Sequence, residues 1–358
     1  MKTIAFYISN HGFGHAARNI PIIQNLLLLD RDLKIIVKTH TRQLEFIKQS
    51  LSRFSSRIAY YDEYVDLGLI LKENSYLVDK EKLDAELKGF ISTWEDRIEK
   101  ETSFIKENKI DLIVSDVVPW IFQSAKKSGV RSVLISNFTW AEIYKELFDS
   151  EVVNIYEDSY RKADYAFIFP LAGDIGKYFK NTYEVGLSSR EFNEEPVKYI
   201  KNKYKRPIVF VSLGRSVEIN DEIEVEHLPY DFIYTEGIKL RGNNTYKLPV
   251  DTGNTQDYIK ASEIIITKAG WSTISESICA QRPILVLNRP EIKEDVNTIN
   301  NLLNLKIANT IEFNQLDEEN LSILIEETKK LIENYRFLPD RYKNSSKEIA
   351  SSLLKLSY

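Results

Sequence analysis

A chain of 358 residues exceeds what one hydrophobic core ordinarily supports, so two domains are expected. Its 43% hydrophobic and 28% charged content is that of an ordinary soluble globular protein, and 48 basic against 53 acidic residues, a net charge of −5, argue against a general nucleic-acid binder. The single cysteine, Cys279, offers neither a disulfide framework nor a cysteine metal cluster and reads as a small core residue.

Met1-Lys-Thr leads straight into the apolar run Ile4–Ile8 and then polar Ser9 and Asn10, too short for a signal-peptide core or a membrane span. A cytoplasmic location is expected, with peripheral membrane contact left open. Short β-branched runs then alternate with longer amphipathic ones. Strands are expected at Ile4–Ile8, Leu33–Lys38, Arg57–Tyr60, Leu112–Ser115, Ser132–Ser136, Tyr165–Phe169 and Tyr183–Val185. Helices are expected at Pro21–Leu29, Lys82–Asn108, Ile121–Ser128 and Ala141–Arg161. This order predicts an α/β fold with a doubly wound parallel sheet, whose ligands gather beyond the carboxyl ends of the strands.

Residues 191–206, EFNEEPVKYIKNKYKR, are charged and lack apolar periodicity, which reads as a solvated linker or, from their basic and tyrosine content, an acceptor or membrane-surface patch. The domain boundary is placed there, giving 1–195 and 196–358, with the final helices as candidates to pack back on the first domain. The second half restarts with Pro207–Ser212, followed by strand signals at Phe232–Thr235, Thr245–Leu248, Ile264–Thr267 and Ile284–Leu287 and a mostly helical Thr310–Tyr358.

Two turns carry chemistry. After the first strand comes Ser9-Asn-His-Gly-Phe-Gly-His-Ala-Ala-Arg18, where Gly12 and Gly14 let the backbone approach a ligand closely, although the third glycine of a dinucleotide fingerprint is missing. His15 at a sheet's carboxyl edge can act as a general base if something holds its tautomer, and Asp116, ending the run Asp111–Asp116, falls at the same edge. The alternative is that each residue caps a helix. In the second half, the buried run Ile264–Ile266 breaks into a glycine turn and a helical pattern opening at Thr273, a site suited to phosphate because the first helical N–H groups lack internal partners.

Three segments, YISNHGFGHAARNIPII, SDVVPWIFQSAKKSGVRSVLISNFTWAEIY and KASEIIITKAGWSTISESICAQRPILVLNRPEIKED, jointly resemble the N-terminal glycosyltransferase-like region of plant-type L-arabinokinases. More distantly they are similar to the GT-B enzymes that include MurG and the UDP-glucuronosyl/glucosyltransferases. The resemblance spans roughly residues 1–300; no small-molecule kinase segment follows in the 358 residues, so L-arabinokinase activity is not expected. It implies a GT-B fold, two Rossmann-like doubly wound domains facing each other across a cleft, with the nucleotide sugar held by the second and the acceptor by the first. No metal and no cofactor are implied.

By that resemblance His15 is the base and Asp116 its support; His11 has no constant counterpart there and is assigned to acceptor or phosphate contact, and Phe138 and Trp140 are placed on the acceptor side. Gly14, Gly214, Arg215, Lys268, Gly270, Ser272 and Thr273 fall on the donor side, around the diphosphate. Glu276 matches the acid that takes hydrogen bonds from the ribose diol, although Thr273-Ile-Ser-Glu276 also spells a capping box. Lys268 stands where the glucosyltransferase branch has histidine; its charge suits a diphosphate, or a nearby carboxylate. Arg215 replaces a usual glycine and either contacts phosphate or closes the turn. Glu294 and Asp295 match an acid and glutamine pair placed against sugar hydroxyls, with acid in place of glutamine.

Apolar Tyr61–Tyr76, together with Phe138 and Trp140, lines the acceptor side or packs the core. Asp30-Arg-Asp32, which spells a metal-dependent transferase motif, reads as an exposed turn. The expected activity is inverting, metal-independent transfer of a sugar from a UDP-linked donor to a hydroxyl acceptor that the residues do not name. A nucleotide-sugar hydrolase or 2-epimerase, or a non-catalytic nucleotide-sugar-binding protein, are the rivals.

Overall fold

A computed structural model describes residues 2–72, 77–148, 150–214, 219 and 221–358. The chain forms two compact units, Met1–Ile70 with Val78–Ser188 and Ser345–Tyr358, and Leu71–Leu77 with Ser189–Asn344.

The first unit carries strands β1 (Thr3–Ile8), β2 (Lys34–Thr39), β3 (Ile58–Asp62), β4 (Leu112–Asp116), β5 (Arg131–Ser136), β6 (Tyr165–Ile168) and β7 (Thr182–Glu184). Among the described residues they make one seven-stranded sheet in the order β3-β2-β1-β4-β5-β6-β7, with every pairing parallel. Its central strands are continuous apolar runs, as a sheet covered on both faces requires. The helices are α1 (Phe13–Leu29), α2 (Thr41–Ser50), α3 (Lys80–Ser92), α4 (Trp94–Glu107), α5 (Ile121–Ser128), α6 (Trp140–Lys145) and α7 (Ser150–Tyr160). The expected single helices at 82–108 and 141–161 are each two, the first broken at Thr93 and the second after Lys145.

The first helix also begins earlier than its apolar run suggests. The helix expected at Pro21–Leu29 instead starts at Phe13, and α1 carries Pro21 inside. That extension puts His15, Arg18 and Asn19 on one helical face, at spacings of three and four.

The second unit carries α8 (Glu194–Lys203), β8 (Ile208–Ser212), β9 (Glu222–Glu224), β10 (Asp231–Tyr234), β11 (Lys239–Arg241), β12 (Thr245–Lys247), α9 (Thr255–Ala261), β13 (Ile264–Lys268), α10 (Trp271–Ala280), β14 (Ile284–Leu287), α11 (Lys293–Asn304), β15 (Ala308–Ile311) and α12 (Glu318–Lys329). Its parallel sheet runs β12-β10-β8-β13-β14-β15, with β9 and β11 paired apart from it. The stretch read as a solvated linker is α8, whose Ile200 joins Tyr204, Ile208 and Phe210 in a buried cluster. The last helix, α13 (Ser346–Leu356), packs against α1 of the first unit. No helix among the described residues is long and apolar enough to cross a membrane.

Both sheets reverse winding direction once, between β1 and β4 in the first and between β8 and β13 in the second. Crevices for ligands open at the carboxyl ends of strands at such a switch point.

Candidate active site

At the first switch point Ile8 of β1 pairs in register with Asp116 of β4, and the Ser9 N–H donates to the Asp116 carbonyl at 3.3 Å. The chain then turns through Gly12 into α1, and His15 arrives on its first turn. His15 Nδ1 lies 2.8 Å from Asp116 Oδ1, with Asp116 wholly buried and His15 8% exposed. Neither residue serves as a helix cap: α1 is capped at Gly12 and α5 at Trp120, with no side-chain cap bond at either.

Two residues that the sequence reading passed over complete this cluster. Arg18 donates from Nε to Asp116 Oδ2 at 2.7 Å, from Nη2 to Asp116 Oδ1, and from Nη1 to Asn137 Oδ1 at 2.6 Å. Asn19 Nδ2 adds a bond to Asp116 Oδ2 at 2.5 Å. The signal available was the i, i+3, i+4 spacing, hidden by the late placing of the helix start. Burial alone would raise the Asp116 pKa, but the Arg18 charge, with the hydrogen bonds from Arg18 and His15, outweighs it and holds the carboxyl down at about 2. Asp116 is therefore an anion throughout the working pH range.

The backbone around Asp116 is under tension. Val117, a β-branched residue, sits in the left-handed region at φ 69°, a conformation that costs about 1–3 kcal/mol. It is held there by surrounding bonds: the Tyr160 hydroxyl donates to its carbonyl at 2.7 Å, and Ser115 Oγ donates to the Val118 carbonyl at 2.7 Å.

Phe138 and Trp140, expected to line the acceptor side, are buried and pack beneath the histidines. The Phe138 ring stands edge-on to His15 at 5.9 Å, and Trp140 stands edge-on to His11 at 5.5 Å. They shape the site by fixing the two imidazoles. His11 is further confined by Gly68, where a Cβ would fall 1.8 Å from His11 Nδ1, so only glycine fits. Beneath them Trp140 Nε1 donates to Asp66 Oδ2 at 2.7 Å, and burial pushes the Asp66 carboxyl up to about 8 despite the lowering bonds from Ser9 and Trp140. Of the stretch Tyr61–Tyr76, residues 73–76 lie outside the described residues.

At the second switch point, Gly214 lies two residues beyond the end of β8, and β13 ends in Lys268. Gly214 adopts φ +68°, where an L side chain is strained, and a Cβ there would meet Lys268 Cε at 3.1 Å; one on Gly270 would meet the same atom at 3.5 Å. The lysine stem thus lies between two glycine turns, and α10 begins at once after Gly270 with no side-chain cap. Ser272 and Thr273 fall in its first turn. Gly214 and Lys268 are half-buried, and Arg215 lies outside the described residues.

Burial first, and the neighbouring Arg289 charge second, push the Lys268 ammonium down to about 8, against the opposite pull of Asp295 and Glu294. A diphosphate beside it favours the protonated form. Nucleoside diphosphate binding should therefore take up protons near pH 8 and weaken above it, approaching about tenfold per pH unit once the lysine is neutral. Calorimetry of UDP binding in two buffers of different ionisation enthalpy checks this, and Lys268→Met should remove the dependence. A flat profile between pH 7 and pH 9.5 would place Lys268 away from the phosphates.

Glu276 is not in a capping box, because α10 starts at Trp271 rather than Thr273. Instead both its oxygens are taken by one guanidinium: Arg190 Nε at 2.6 Å from Oε1 and Nη2 at 3.1 Å from Oε2. Arg190 is anchored in turn on the Gly253 carbonyl at 2.7 Å and Thr255 Oγ1 at 3.0 Å. A carboxylate has about four acceptor positions, so two remain for a diol. Asp295, matched to a sugar contact, is 2% exposed and bound by Arg289 through Nε and Nη2, each 2.6 Å from Oδ2. A buried carboxylate needs a counter-charge more than it needs a sugar, so Asp295 is turned inward and Glu294 is the half-buried member of the pair.

Asp30-Arg-Asp32 is a turn in which Asp30 Oδ1 accepts the Asp32 N–H at 2.8 Å. Among the described residues no group of three or more His, Cys, Asp or Glu side chains is placed to hold a metal ion.

Residues 240–356 match the glycosyltransferase family 28 C-terminal domain. An L-arabinokinase of Arabidopsis thaliana is 25% identical over 307 residues, 81% of this chain; the chain spans only 28% of that relative's length. Among solved structures, Phytolacca americana UGT2, complexed with UDP-2fluoro-glucose and pterostilbene, matches with a TM-score of 0.68 at 13% identity over 100% of both chains. Medicago truncatula UGT71G1, complexed with UDP-glucose, matches with a TM-score of 0.67 at 13% identity over 100% of this chain and 98% of its own. The fold is GT-B, and the similarity to GT-B glycosyltransferases read from the three sequence segments is borne out.

Proposed function

We propose that this protein transfers a sugar from a UDP-linked donor to a hydroxyl acceptor with inversion at the anomeric carbon. The observation that carries the reading is the buried His15–Asp116 pair at the switch point of the first sheet. His15 Nε2 takes the acceptor proton as the acceptor oxygen bonds to the anomeric carbon. The bond from that carbon to the diphosphate oxygen breaks, and the nucleoside diphosphate leaves with the electron pair. Asp116 supports the ring that has gained the proton. In the second unit Lys268 and the N–H groups opening α10 meet the charge developing on the diphosphate, so the reading calls for no metal. Glu276, steadied by Arg190, is assigned to the ribose and Glu294 to the sugar hydroxyls.

The test is incubation of the purified protein with a set of nucleotide sugars, with and without a panel of hydroxyl acceptors, followed by chromatography of sugar and nucleotide. Release of UDP that depends on an acceptor, with a new glycoside of inverted configuration, is expected. Equal sugar release or isomerisation without acceptor would replace this reading with hydrolysis or 2-epimerisation. UDP binding with no turnover of any donor would leave a binding protein.

A further inference from the structure

The base in this reading is only a base if its proton sits on the right nitrogen, and the cluster around His15 contains a group able to decide that. Arg18 Nη2 lies 3.0 Å from His15 Nδ1, nearly as close as Asp116 Oδ1 at 2.8 Å. An arginine nitrogen can only donate. If Nδ1 were unprotonated it would accept from Arg18, the ring proton would be on Nε2, and the nitrogen facing an acceptor would have no lone pair to offer. If Nδ1 carries the proton it donates to Asp116, and Nε2 is free to act.

The remaining bonds select between these states. The two hydrogens of Arg18 Nη2 have acceptors elsewhere, in Asp116 Oδ1 and in Ser136 Oγ at 3.3 Å, while Nε and Nη1 are engaged by Asp116 and Asn137. With Arg18 so occupied, each donor in the cluster has an acceptor when Nδ1 is protonated. Arg18 also spans the Asp116 carboxylate through both its oxygens, which keeps Oδ1 turned toward Nδ1. Among the described residues the charged groups facing the imidazole are Arg18 from its own helix and Asp116 from β4. Asp66, from the loop after β3, feels the Asp116 charge at longer range.

We propose that Arg18 is a positioning residue that, by bonding both oxygens of Asp116, keeps that carboxylate turned toward His15 Nδ1–H and so leaves Nε2 available as the base. This rests on the transferase reading for its consequence, but its first readout needs no substrate. Long-range 15N–1H correlation spectra of the four histidines, with His15 assigned through His15→Gln, report which ring nitrogen is protonated. The expected result at neutral pH is Nδ1–H for His15. In Arg18→Met, with the Asp116 carboxylate no longer held through both oxygens, the ring should populate the Nε2–H tautomer as well. If the protein turns over, kcat should fall several-fold while KM for the donor holds, and Arg18→Lys should restore part of the loss.

An Nε2–H tautomer in the unsubstituted protein overturns the proposal, as does an Arg18→Met ring that keeps its parent's tautomer. Should Arg18→Met not fold, Arg18→Gln makes the same comparison. Absence of transfer with an Nδ1–H ring would count against the proposed function and leave this assignment standing.

Discussion

Replacing His15 with alanine should lower kcat by about 10²- to 10⁴-fold, the range by which a positioned general base accelerates a proton transfer, while leaving UDP affinity unchanged. The residue lies in the first unit and the proposed diphosphate contacts lie in the second, so the substitution removes the base without touching the donor groups. Asp116→Asn should fall in the same range, because the amide is not an anion and cannot support a positively charged ring. Steady-state rates alongside calorimetric UDP titrations separate the two effects. A His15→Ala protein with parental kcat would end the assignment of His15 as base.

The second large effect is on stability. Arg190 and Glu276 are both nearly buried, and removing one partner of such a pair leaves an uncompensated charge, costing about 3–5 kcal/mol. Arg190→Met should therefore lower Tm by on the order of 10 °C. A thermal-shift measurement checks it, and the double variant Arg190→Met with Glu276→Leu should recover most of the loss, since no charge is then stranded. If Arg190→Met melts within about 2 °C of its parent, the pair is hydrated and Glu276 is free of it. The ribose assignment and the ion pair are compatible only as long as the carboxylate's two other acceptor positions point outward, and Glu276→Gln with intact folding but weakened UDP binding is the pattern that joint role produces.

Asp116, Glu276 and Asp295 share a feature. Each was singled out from sequence as chemically active, and each is held by a buried arginine: Arg18, Arg190 and Arg289. For Asp116 the arginine sits beside the proposed base. For Asp295 it occupies one carboxylate oxygen, which leaves Glu294 as the proposed contact for the donor sugar.

The amino-acid sequence alone determined the sheets. Wholly apolar β-branched runs such as Ile4–Ile8 and Ile264–Ile266 admit few other readings, and their spacing by amphipathic helices makes the pairing parallel. Short strands of mixed burial, Glu222–Glu224, Lys239–Arg241 and Ala308–Ile311, were not legible, since they alternate too briefly to show a period. His15 and Asp116 could be brought to one edge because parallel strands align their carboxyl ends whatever the loops between them do. The counter-charges could not. A carboxylate buried in the interior demands a cation, but which of the chain's 48 lysines and arginines answers is a matter of where distant segments meet: Arg18 lies 98 positions from Asp116, and Arg190 lies 86 from Glu276. Local pattern carries the backbone's hydrogen bonding and the burial of apolar faces; only the folded chain decides how each buried charge is neutralised, because that energy depends on distance in space and on exclusion of water.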